Sequence, residues 1–319
     1  MARELSGAVV VITGASSGIG RAAAHAFAER RSRLVLAARA PGPLEEVAEA
    51  CRRAGAETVA LATDVRDEAA VAALADRAVA CFGGIDVWVN CAGVIAYGGF
   101  EQTPGAVFRQ VIETNLFGQV HGARAVLPHF RRRGSGVLIN MSSVWGRVTT
   151  PDVSAYVTSK FALRAFSECL RQELRELPGV DVATMLPAAV DTPIFGRAAN
   201  YSGRRIRPIP PLLDPVEVAK GIVMCAENPK REVTYGRVAR LLEVVHALMP
   251  GLYQRFAPSA FAAGNYTEHP AERTPGAVLE PRGGEYAVSG GWRRGRRRTL
   301  VEALLAATGG AARGLWRGR

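Results

Sequence analysis

A tyrosine and a lysine, Tyr156 and Lys160, stand four residues apart in the segment 155–160. On a helix this spacing places two side chains on one face, one turn apart. A cation beside a phenol favours the phenolate and lowers a pKa that is near 10 in free tyrosine. Tyr156 would then donate a proton to a carbonyl oxygen, or accept one from an alcohol, near neutral pH. The pair therefore predicts proton-transfer chemistry.

A glycine-rich turn, Gly14-x-x-x-Gly18-x-Gly20, lies far upstream of this pair. It follows a short apolar run that predicts a strand, and it opens a helix. In that context the free N–H groups of the helix N-terminus face an anion, and the glycines let a pyrophosphate approach the backbone. The alternative is a glycine-rich turn with no ligand. The strand-turn-helix context favours a bound dinucleotide.

The elements that must position these residues alternate along the chain. Short apolar runs predict strands at 8–12, 33–38, 58–62, 85–90, 136–141 and 180–185. Between them, helical patterns cover 21–30, 44–54, 68–81, 104–130 and 154–177. Apolar strands separated by helices predict an α/β fold with a doubly wound parallel sheet, which binds its ligand at the carboxyl ends of the strands. Residues 191–215 are irregular and rich in Arg and Pro, which is typical of a functional lid.

Five motifs in this order resemble those of the short-chain dehydrogenase/reductase (SDR) family. They are Thr13–Gly20, Asn90-Cys91-Ala92-Gly93, Asn115, Ser143 and Tyr156-x-x-x-Lys160. The resemblance covers roughly residues 5–235 and implies a Rossmann-type catalytic domain that transfers a hydride between a nicotinamide cofactor and an alcohol or carbonyl compound. The chain departs from the family at Cys91, where the motif has asparagine, and at Ala188, where glycine follows the proline.

The resemblance also implies the site residues. The catalytic set is Asn115, Ser143, Tyr156 and Lys160. The cofactor-binding set is Gly14, Ser16, Ser17, Gly18, Ile19, Gly20, Arg39, Asp64, Val65, Asn90, Ala92, Gly93, Tyr156, Lys160, Pro187, Val190 and Thr192. Asp64 is expected either to contact adenine or to cap the following helix, and the two roles are compatible. No metal site is expected.

The end of the second strand bears on the choice of cofactor. An acidic residue there would bind the ribose hydroxyls of NAD. This chain has Ala37-Ala38-Arg39, and an arginine can pair with the 2′-phosphate of NADP through two hydrogen bonds. The alternative is an ordinary solvated arginine. The pattern favours NADP, with NAD possible.

Composition supports further expectations about the core, the compartment and the domain division. Hydrophobic residues make up 48% of the 319 residues, which is enough for a sizeable core. The five cysteines show no CxxC spacing, and no signal peptide opens the chain, so a cytoplasmic protein is expected. The predicted division is a catalytic domain at 1–240 with its lid at 191–215, followed by a basic, partly helical and partly flexible extension at 241–319.

The last part of the extension, residues 281–319, carries most of the net charge. Of a total of +11, residues 281–319 contribute +7, from nine Arg and two Glu. Residues 264–298 are expected to be poorly ordered, and 299–307 are expected to form an amphipathic helix between arginines. This tail could touch an anionic membrane surface, dock on its own protein or stay solvated; nucleic acid is the weaker option.

Two functional classes remain open at this point. The first is an NADP-dependent oxidoreductase. The second is an NADP-binding sensor or scaffold whose basic tail binds a partner or a membrane surface. The complete set of Ser143, Tyr156 and Lys160 favours the enzyme. The apolar residues of the lid favour a hydrophobic substrate, and the two long helices are typical of family homodimers and homotetramers.

Overall fold

The computed structural model describes residues 3–284 and 286–294. Its first half contains β1 (Val9–Thr13), α1 (Gly18–Ala28), β2 (Arg33–Ala38), α2 (Pro41–Arg53), β3 (Thr58–Ala62), α3 (Glu68–Phe82), β4 (Val87–Asn90), β5 (Ala96–Tyr97), α4 (Gly105–Ile112), α5 (Gly118–Arg133) and β6 (Gly136–Met141). There follow α6 (Ser154–Glu173), β7 (Val180–Pro187), β8 (Ala199–Asn200), β9 (Arg204–Ile206), α7 (Pro215–Glu227), β10 (Glu232–Tyr235), α8 (Arg237–Leu248), α9 (Pro250–Asn265) and β11 (Tyr266–Pro270).

The central sheet has seven parallel strands in the order β10-β7-β6-β4-β1-β2-β3. The order reverses between β1 and β4, so the loops that leave these two strands diverge and open a crevice at their carboxyl ends. The predicted doubly wound α/β fold is confirmed, as a single domain. Two minor pairings, β5 with β8 and β9 with β11, lie outside this sheet.

The strands are apolar because both faces of the sheet are covered. On β4, Val87 and Val89 pack in the cluster that includes α1, α2 and α7, whereas Trp88 packs in the cluster that includes α3 and α5. Successive residues of a strand point to opposite faces, so a sheet with helices on both sides needs a continuous apolar run. This is why β2 and β6 have the bounds expected from sequence. The edge strand β3 also has its expected bounds, although it is only partly buried.

Within the main sheet and the helices that cover it, two differences from the sequence prediction go beyond shifted boundaries. The helix expected over 104–130 is interrupted by a π-helical turn, Glu113–Phe117, between α4 and α5. The edge strand β10 was not predicted. It is only half buried, and Glu232 within it pairs with Arg164 (2.8 Å) and Arg147 instead of contributing to an apolar run. A short strand whose first residue is charged gives no periodic signal.

The expectation of poor order over 264–298 is wrong for the described part of that segment. Tyr266 of β11 pairs with Ile206 of β9 in the lid, and the backbones of Asn200 and Thr274 exchange hydrogen bonds. The boundary expected at residue 240 falls inside α8, so the two-part division stays a prediction. The expected amphipathic helix at 299–307 lies outside the described residues.

A buried polar network crosses the sheet at Asn90. Its Nδ2 donates to the Asn140 Oδ1 (2.9 Å) and to the Gln119 carbonyl (3.1 Å), and its Oδ1 accepts from the Trp88 indole (2.8 Å). Asn140 in turn donates to the Ser167 hydroxyl (2.9 Å) on α6. Since none of these groups reaches water, each depends on the others for its hydrogen bonds.

Replacing Asn90 with leucine should therefore destabilise the protein strongly. Three buried partners lose their hydrogen bonds, at about 1–3 kcal/mol each, so the free energy of unfolding should fall by at least about 3 kcal/mol. Urea unfolding followed by circular dichroism measures this. The control is Gln172→Leu on the exposed face of α6, which should change the value by less than about 0.5 kcal/mol. Equal effects of the two substitutions would contradict the assigned role.

Candidate functional site

The turn between β1 and α1 is shaped to leave its backbone accessible. Gly14 has φ +70°, and a Cβ built there would lie 2.7 Å from the backbone of Ala92. A Cβ on Gly20 would collide with the Gly14 carbonyl oxygen. Glycine at these two positions lets β1, the β4 loop and α1 meet closely. The cradle that the sequence predicted is present.

A cavity of ≈ 640 Å³ opens at the carboxyl ends of the strands, beside this turn. Most of the predicted site residues line it: Gly14, Ser16, Ser17, Gly18, Ile19, Arg39, Asp64, Val65, Ala92, Gly93, Ser143, Tyr156, Lys160, Pro187, Val190 and Thr192. Three predicted residues, Gly20, Asn90 and Asn115, lie behind the wall. Gly20 and Asn90 shape the scaffold through the contacts already described.

Asn115 lies within the π-helical turn and is fully buried. Its side chain accepts from the Val94 N–H (2.8 Å) and donates to the Val94 carbonyl (2.9 Å) and to the Ser159 hydroxyl (3.2 Å). It therefore ties the loop after β4 to helix α6, which carries the tyrosine and the lysine. A π-turn of this kind often marks a functional site, because it frees backbone groups and shifts side chains.

Lys160 is buried at the base of the cavity. Its Nζ donates to the Met141 carbonyl (2.7 Å) at the end of β6 and lies 5.4 Å from the centroid of the Tyr156 ring. Burial lowers the pKa of Lys160 to about 8, against a smaller raising contribution from Cys91. The ammonium group is thus held near the phenol, but its direct hydrogen bond goes to the backbone.

The pKa of Tyr156 is raised to about 12, not lowered as the sequence argument held. Burial is the largest cause, and the hydrogen bond with the Ser143 hydroxyl opposes it. The sequence shows that a cation lies near the phenol, which lowers the pKa. It does not show that the phenol is buried, and burial raises the pKa because it disfavours the phenolate. The structure does bring Tyr156, Ser143 and Lys160 together on the cavity wall. The Trp145 ring meets the Tyr156 ring edge-on at 5.8 Å.

Arg39 lies at the other end of the cavity. Its Nη2 donates to the Ala277 carbonyl (2.7 Å), whereas its Nη1 is buried without a hydrogen-bond partner. Burial is the main cause that lowers its pKa. A buried guanidinium N–H with no acceptor is costly, so this atom points to a ligand oxygen.

The Asp64 side chain forms an ion pair with Arg66, two residues further along the chain. Its carboxylate accepts from the Arg66 Nε (2.9 Å) and from the Arg66 backbone N–H (3.1 Å). Burial alone would raise the pKa of Asp64, but the hydrogen bonds from Arg66 outweigh it and the pKa is lowered. The expected helix-capping role is wrong, because Asp67 is the residue that caps α3, accepting from the Ala69 N–H (2.9 Å). The Asp64 carboxylate is thus paired with Arg66 and does not pair directly with Arg39.

Sequence reasoning missed Arg197, which also lines the cavity. Its guanidinium lies over the Tyr286 ring, 4.1 Å from the centroid, and its Nε is buried without a hydrogen-bond partner. The Arg197 carbonyl accepts from the Ala277 N–H (2.8 Å), the residue whose carbonyl holds Arg39. No local motif signals this arrangement, because it joins positions about 80 residues apart.

Residues 286–293, here called the C-terminal strap, return to the cavity. The Ala287 carbonyl accepts from the Gly18 N–H (2.9 Å). The Asp191 carboxylate accepts from the Ser289 hydroxyl (2.8 Å) and from the Trp292 N–H (2.9 Å). Part of the basic tail thus docks on its own protein. The remainder, 295–319, lies outside the described residues, and its expected contact with a membrane surface stays a prediction.

The opposite end of the cavity is apolar. Its wall there is formed by the side chains of Ile95, Val144, Trp145, Ile194, Phe195, Ile209, Leu213 and Leu242. Several of these belong to the predicted lid. Within 3–284 and 286–294, no cluster of three His, Cys, Asp or Glu side chains is arranged to hold a metal ion. Over the same residues, no helix combines the length and the hydropathy of a membrane span.

Comparison with known proteins agrees with this geometry. Residues 8–201 match the family model for short chain dehydrogenases. The chain belongs to the short-chain dehydrogenase family. An uncharacterized oxidoreductase of Bacillus subtilis is 32% identical over 96% of this chain and 89% of its own length. Dehydrogenase/reductase SDR family member 7B of Bos taurus is 34% identical over 82% of this chain and 84% of its own.

Solved structures of the family are also similar. A short-chain dehydrogenase/reductase from Burkholderia phymatum in complex with NAD is 26% identical, with a TM-score of 0.71 over 85% of this chain and 100% of that one. An alcohol dehydrogenase from Thermococcus sibiricus in complex with 5-hydroxy-NADP is 30% identical, with a TM-score of 0.62 over 71% of this chain and 95% of that one. This SDR chain is thus an oxidoreductase of a nicotinamide-binding fold.

The buried Lys160 should reduce stability in a way that depends on pH. The pKa of Lys160 in the folded protein is about 8, below the ordinary lysine value of 10.5. Below pH 8 the buried ammonium group therefore lowers the stability of the fold by its full amount. That penalty fades as pH rises from 8 to 10.5. At pH 7 the Lys160→Met variant should therefore have a higher free energy of unfolding than the unmodified protein and a higher urea midpoint. The gain is up to about 3 kcal/mol, from which the cost of the lost hydrogen bond to Met141 is subtracted.

The pH dependence separates the charge from other effects of this substitution. The advantage of Lys160→Met should shrink between pH 7 and pH 9.5, measured as the difference between the two urea midpoints. A lost hydrogen bond or a changed shape would give a difference that is constant with pH. A constant difference would mean that Lys160 is not desolvated as the structure indicates.

Proposed function

We propose that this protein is an NADP(H)-dependent oxidoreductase that interconverts an alcohol and a carbonyl compound, with Tyr156 as the proton donor and acceptor. The observation that carries the proposal is the convergence of Tyr156, Ser143 and Lys160 on a cavity whose far wall is the glycine-rich turn. Membership in the SDR family supports the reaction type. The cofactor preference and the residue roles are our inference from the site.

The residues fit a nicotinamide dinucleotide. Glycine at 14 and 20 lets the turn pack closely against its neighbours beside the cavity, and Arg39 holds a buried N–H that lacks an acceptor. When bound, the dinucleotide supplies or accepts the hydride. The N–H groups of the turn and of the start of α1 would hold its diphosphate, apart from that of Gly18, which donates to the Ala287 carbonyl. Lys160 would hold the ribose next to the nicotinamide, and Val190 and Thr192 would contact the nicotinamide end.

The protein's own groups would handle the proton. The Ser143 hydroxyl would hold the substrate oxygen by a hydrogen bond, and the Tyr156 hydroxyl would donate its proton to that oxygen, or accept one from it in the reverse direction. A pKa of about 12 keeps Tyr156 protonated at neutral pH, which suits donation to a carbonyl. Asn115 is a positioning residue, since its side chain acts through Ser159 and the Val94 backbone.

Charge supports NADP over NAD. Besides burial, the nearby guanidinium groups of Arg66 and Arg197 lower the pKa of Arg39, whereas the Asp64 carboxylate raises it. Arg66 pairs with that carboxylate, so the positive charge of Arg39 is left without a direct partner. A 2′-phosphate would supply the missing negative charge.

The substrate is proposed to be hydrophobic. The wall beyond Tyr156 is made by apolar and aromatic side chains, among them Trp145, Phe195 and Ile209. A pocket of this kind favours apolar ligands and leaves orientation to a few polar groups, here Ser143 and Tyr156. A homodimer or homotetramer remains a prediction by analogy with the family.

Replacing Arg39 with leucine should weaken NADPH binding and leave NADH binding nearly unchanged. The lost charge-assisted hydrogen bonds are worth at least about 1.5 kcal/mol, or roughly tenfold in Kd. Titration calorimetry with both cofactors measures this. Arg205→Leu, at an exposed arginine of the lid, is the control and should alter neither affinity. Equal affinity of the unmodified protein for NADPH and NADH would refute the preference.

Replacing Tyr156 with phenylalanine should remove turnover and preserve cofactor binding. General acid catalysis contributes about 10²–10⁴-fold, so the rate should fall at least about 10²-fold, with the Kd for NADPH within about twofold. The assay uses a panel of ketones, aldehydes and quinones. Tyr201→Phe is the control, because Tyr201 lies off the cavity wall and should keep its rate. Near-normal turnover by Tyr156→Phe on a confirmed substrate would show that another group donates the proton.

A further inference from the structure

Helices α8 and α9 form a hairpin that turns apolar side chains toward solvent. On α8, Leu241, Val244 and Leu248 are 60%, 53% and 77% exposed. Their spacing of three and then four residues places them in one stripe along the helix. From residue 240 to its end, α8 has no buried residue. The stripe is therefore an uncovered apolar face and not part of the core.

The second helix extends the same kind of surface. Met249 at the junction and Leu252 and Phe256 on α9 are 51%, 43% and 52% exposed. Leu252 and Phe256 stand four residues apart, so they also share one face of their helix. These six side chains, from Leu241 to Phe256, are called the hairpin face below. Single exposed apolar residues are ordinary, but six within sixteen residues mark an interaction surface.

Two polar side chains of the hairpin, Glu243 and Tyr253, point the other way. Glu243 is largely buried and contacts the Arg147 guanidinium (3.3 Å), and it accepts from the Thr234 hydroxyl (3.3 Å). The Tyr253 hydroxyl donates to the Thr149 carbonyl (2.6 Å). In a water-exposed helix pair the apolar side would face the protein and the charged side would face water. This hairpin has the reverse arrangement, with its acid tied inward and its apolar residues outward.

The charges that remain outside are positive. Arg240 and Arg255 are exposed beside the hairpin face. Glu243 is the one acidic residue between 240 and 265, and it faces Arg147. A helical surface with apolar residues on its outer side, arginines beside them and no outward acid matches the boundary between the headgroups and acyl chains of an anionic bilayer.

We propose that the hairpin face is a docking surface for anionic phospholipid membranes, with its six apolar side chains inserted below the headgroups and Arg240 and Arg255 among the lipid phosphates. A second copy of the chain fits the face less well. In a dimer with twofold symmetry, both copies contribute the same patch to the interface. The arginines of both copies would then lie in one interface, with no carboxylate of the hairpin face to pair with them. A lipid surface supplies the negative charge that the face lacks.

The hairpin also borders the cavity. Leu242 on α8 is 39% exposed and lines the cavity wall. Helix α8 thus borders the cavity on one side and carries the hairpin face on another. Docking would hold the cavity mouth at the lipid boundary. Docking would affect only how a substrate reaches the cavity. The membrane contact itself does not depend on which reaction the site performs.

Co-sedimentation of the full chain with two kinds of vesicle tests the proposal. One kind is made of phosphatidylcholine mixed with phosphatidylglycerol, the other of phosphatidylcholine alone. The protein should sediment with the first kind and far less with the second. The triple variant Leu241→Ser, Leu248→Ser, Phe256→Ser should bind the mixed vesicles at least roughly tenfold less. All three side chains are exposed, so its thermal melt should match that of the unmodified protein.

A matched control removes apolar residues elsewhere. Phe100 and Met224 are 71% and 63% exposed, and neither lies on the hairpin. The double variant Phe100→Ser, Met224→Ser should sediment as the unmodified chain does. Light scattering after gel filtration follows the oligomeric state of all variants, which should be the same.

Three results would overturn the proposal. The first is failure of the unmodified chain to sediment with the mixed vesicles even at low salt. The second is undiminished sedimentation of the triple variant, which would assign binding to another part of the chain, such as 295–319. The third is dissociation of an oligomer by the triple substitution, which would make the hairpin face an interface between copies of the chain.

Discussion

The buried ammonium group of Lys160 is the constraint around which the site is built. Its pKa of about 8 reflects the cost of removing a cation from water. Its hydrogen bond to the Met141 carbonyl offsets part of that cost and fixes α6 against the end of β6. The same helix carries Tyr156, so the position of the phenol follows from where the lysine finds its acceptor. A cation held so close to the cavity floor is poorly compensated by the protein alone.

Polar anchors elsewhere keep this geometry rigid. The Asn90 and Asn140 side chains link β4 to β6, and Asn140 reaches Ser167 on α6. Asn115 joins the loop after β4 to Ser159 on the same helix. Helix α6 is therefore tied to the sheet by hydrogen bonds on both sides of Lys160. Buried networks of this kind specify one arrangement, because a shifted helix would leave several groups unpaired.

The sequence predicted the features that depend on residues close together along the chain. Strands β2 and β6 were found because strands covered on both faces are continuous apolar runs. The residues of the cavity wall followed from motifs whose glycine, tyrosine and lysine have direct physical reasons. The raised pKa of Tyr156 was missed, because burial is a property of the fold and not of spacing. The edge strand β10 was missed because its first residue pairs with distant arginines. The strap was missed because its partner, Asp191, lies almost 100 residues away.

The segment beyond residue 235 changes what the family fold alone would provide. The Ala277 carbonyl accepts from one terminal nitrogen of Arg39, and the other terminal nitrogen is left without a partner. Tyr286 provides the surface on which Arg197 rests. Neither contact is possible for a chain that ends after β10. An arginine held by a backbone carbonyl loses less conformational entropy on binding than a free one, so under the proposed function this extension would pre-organise Arg39 for the 2′-phosphate.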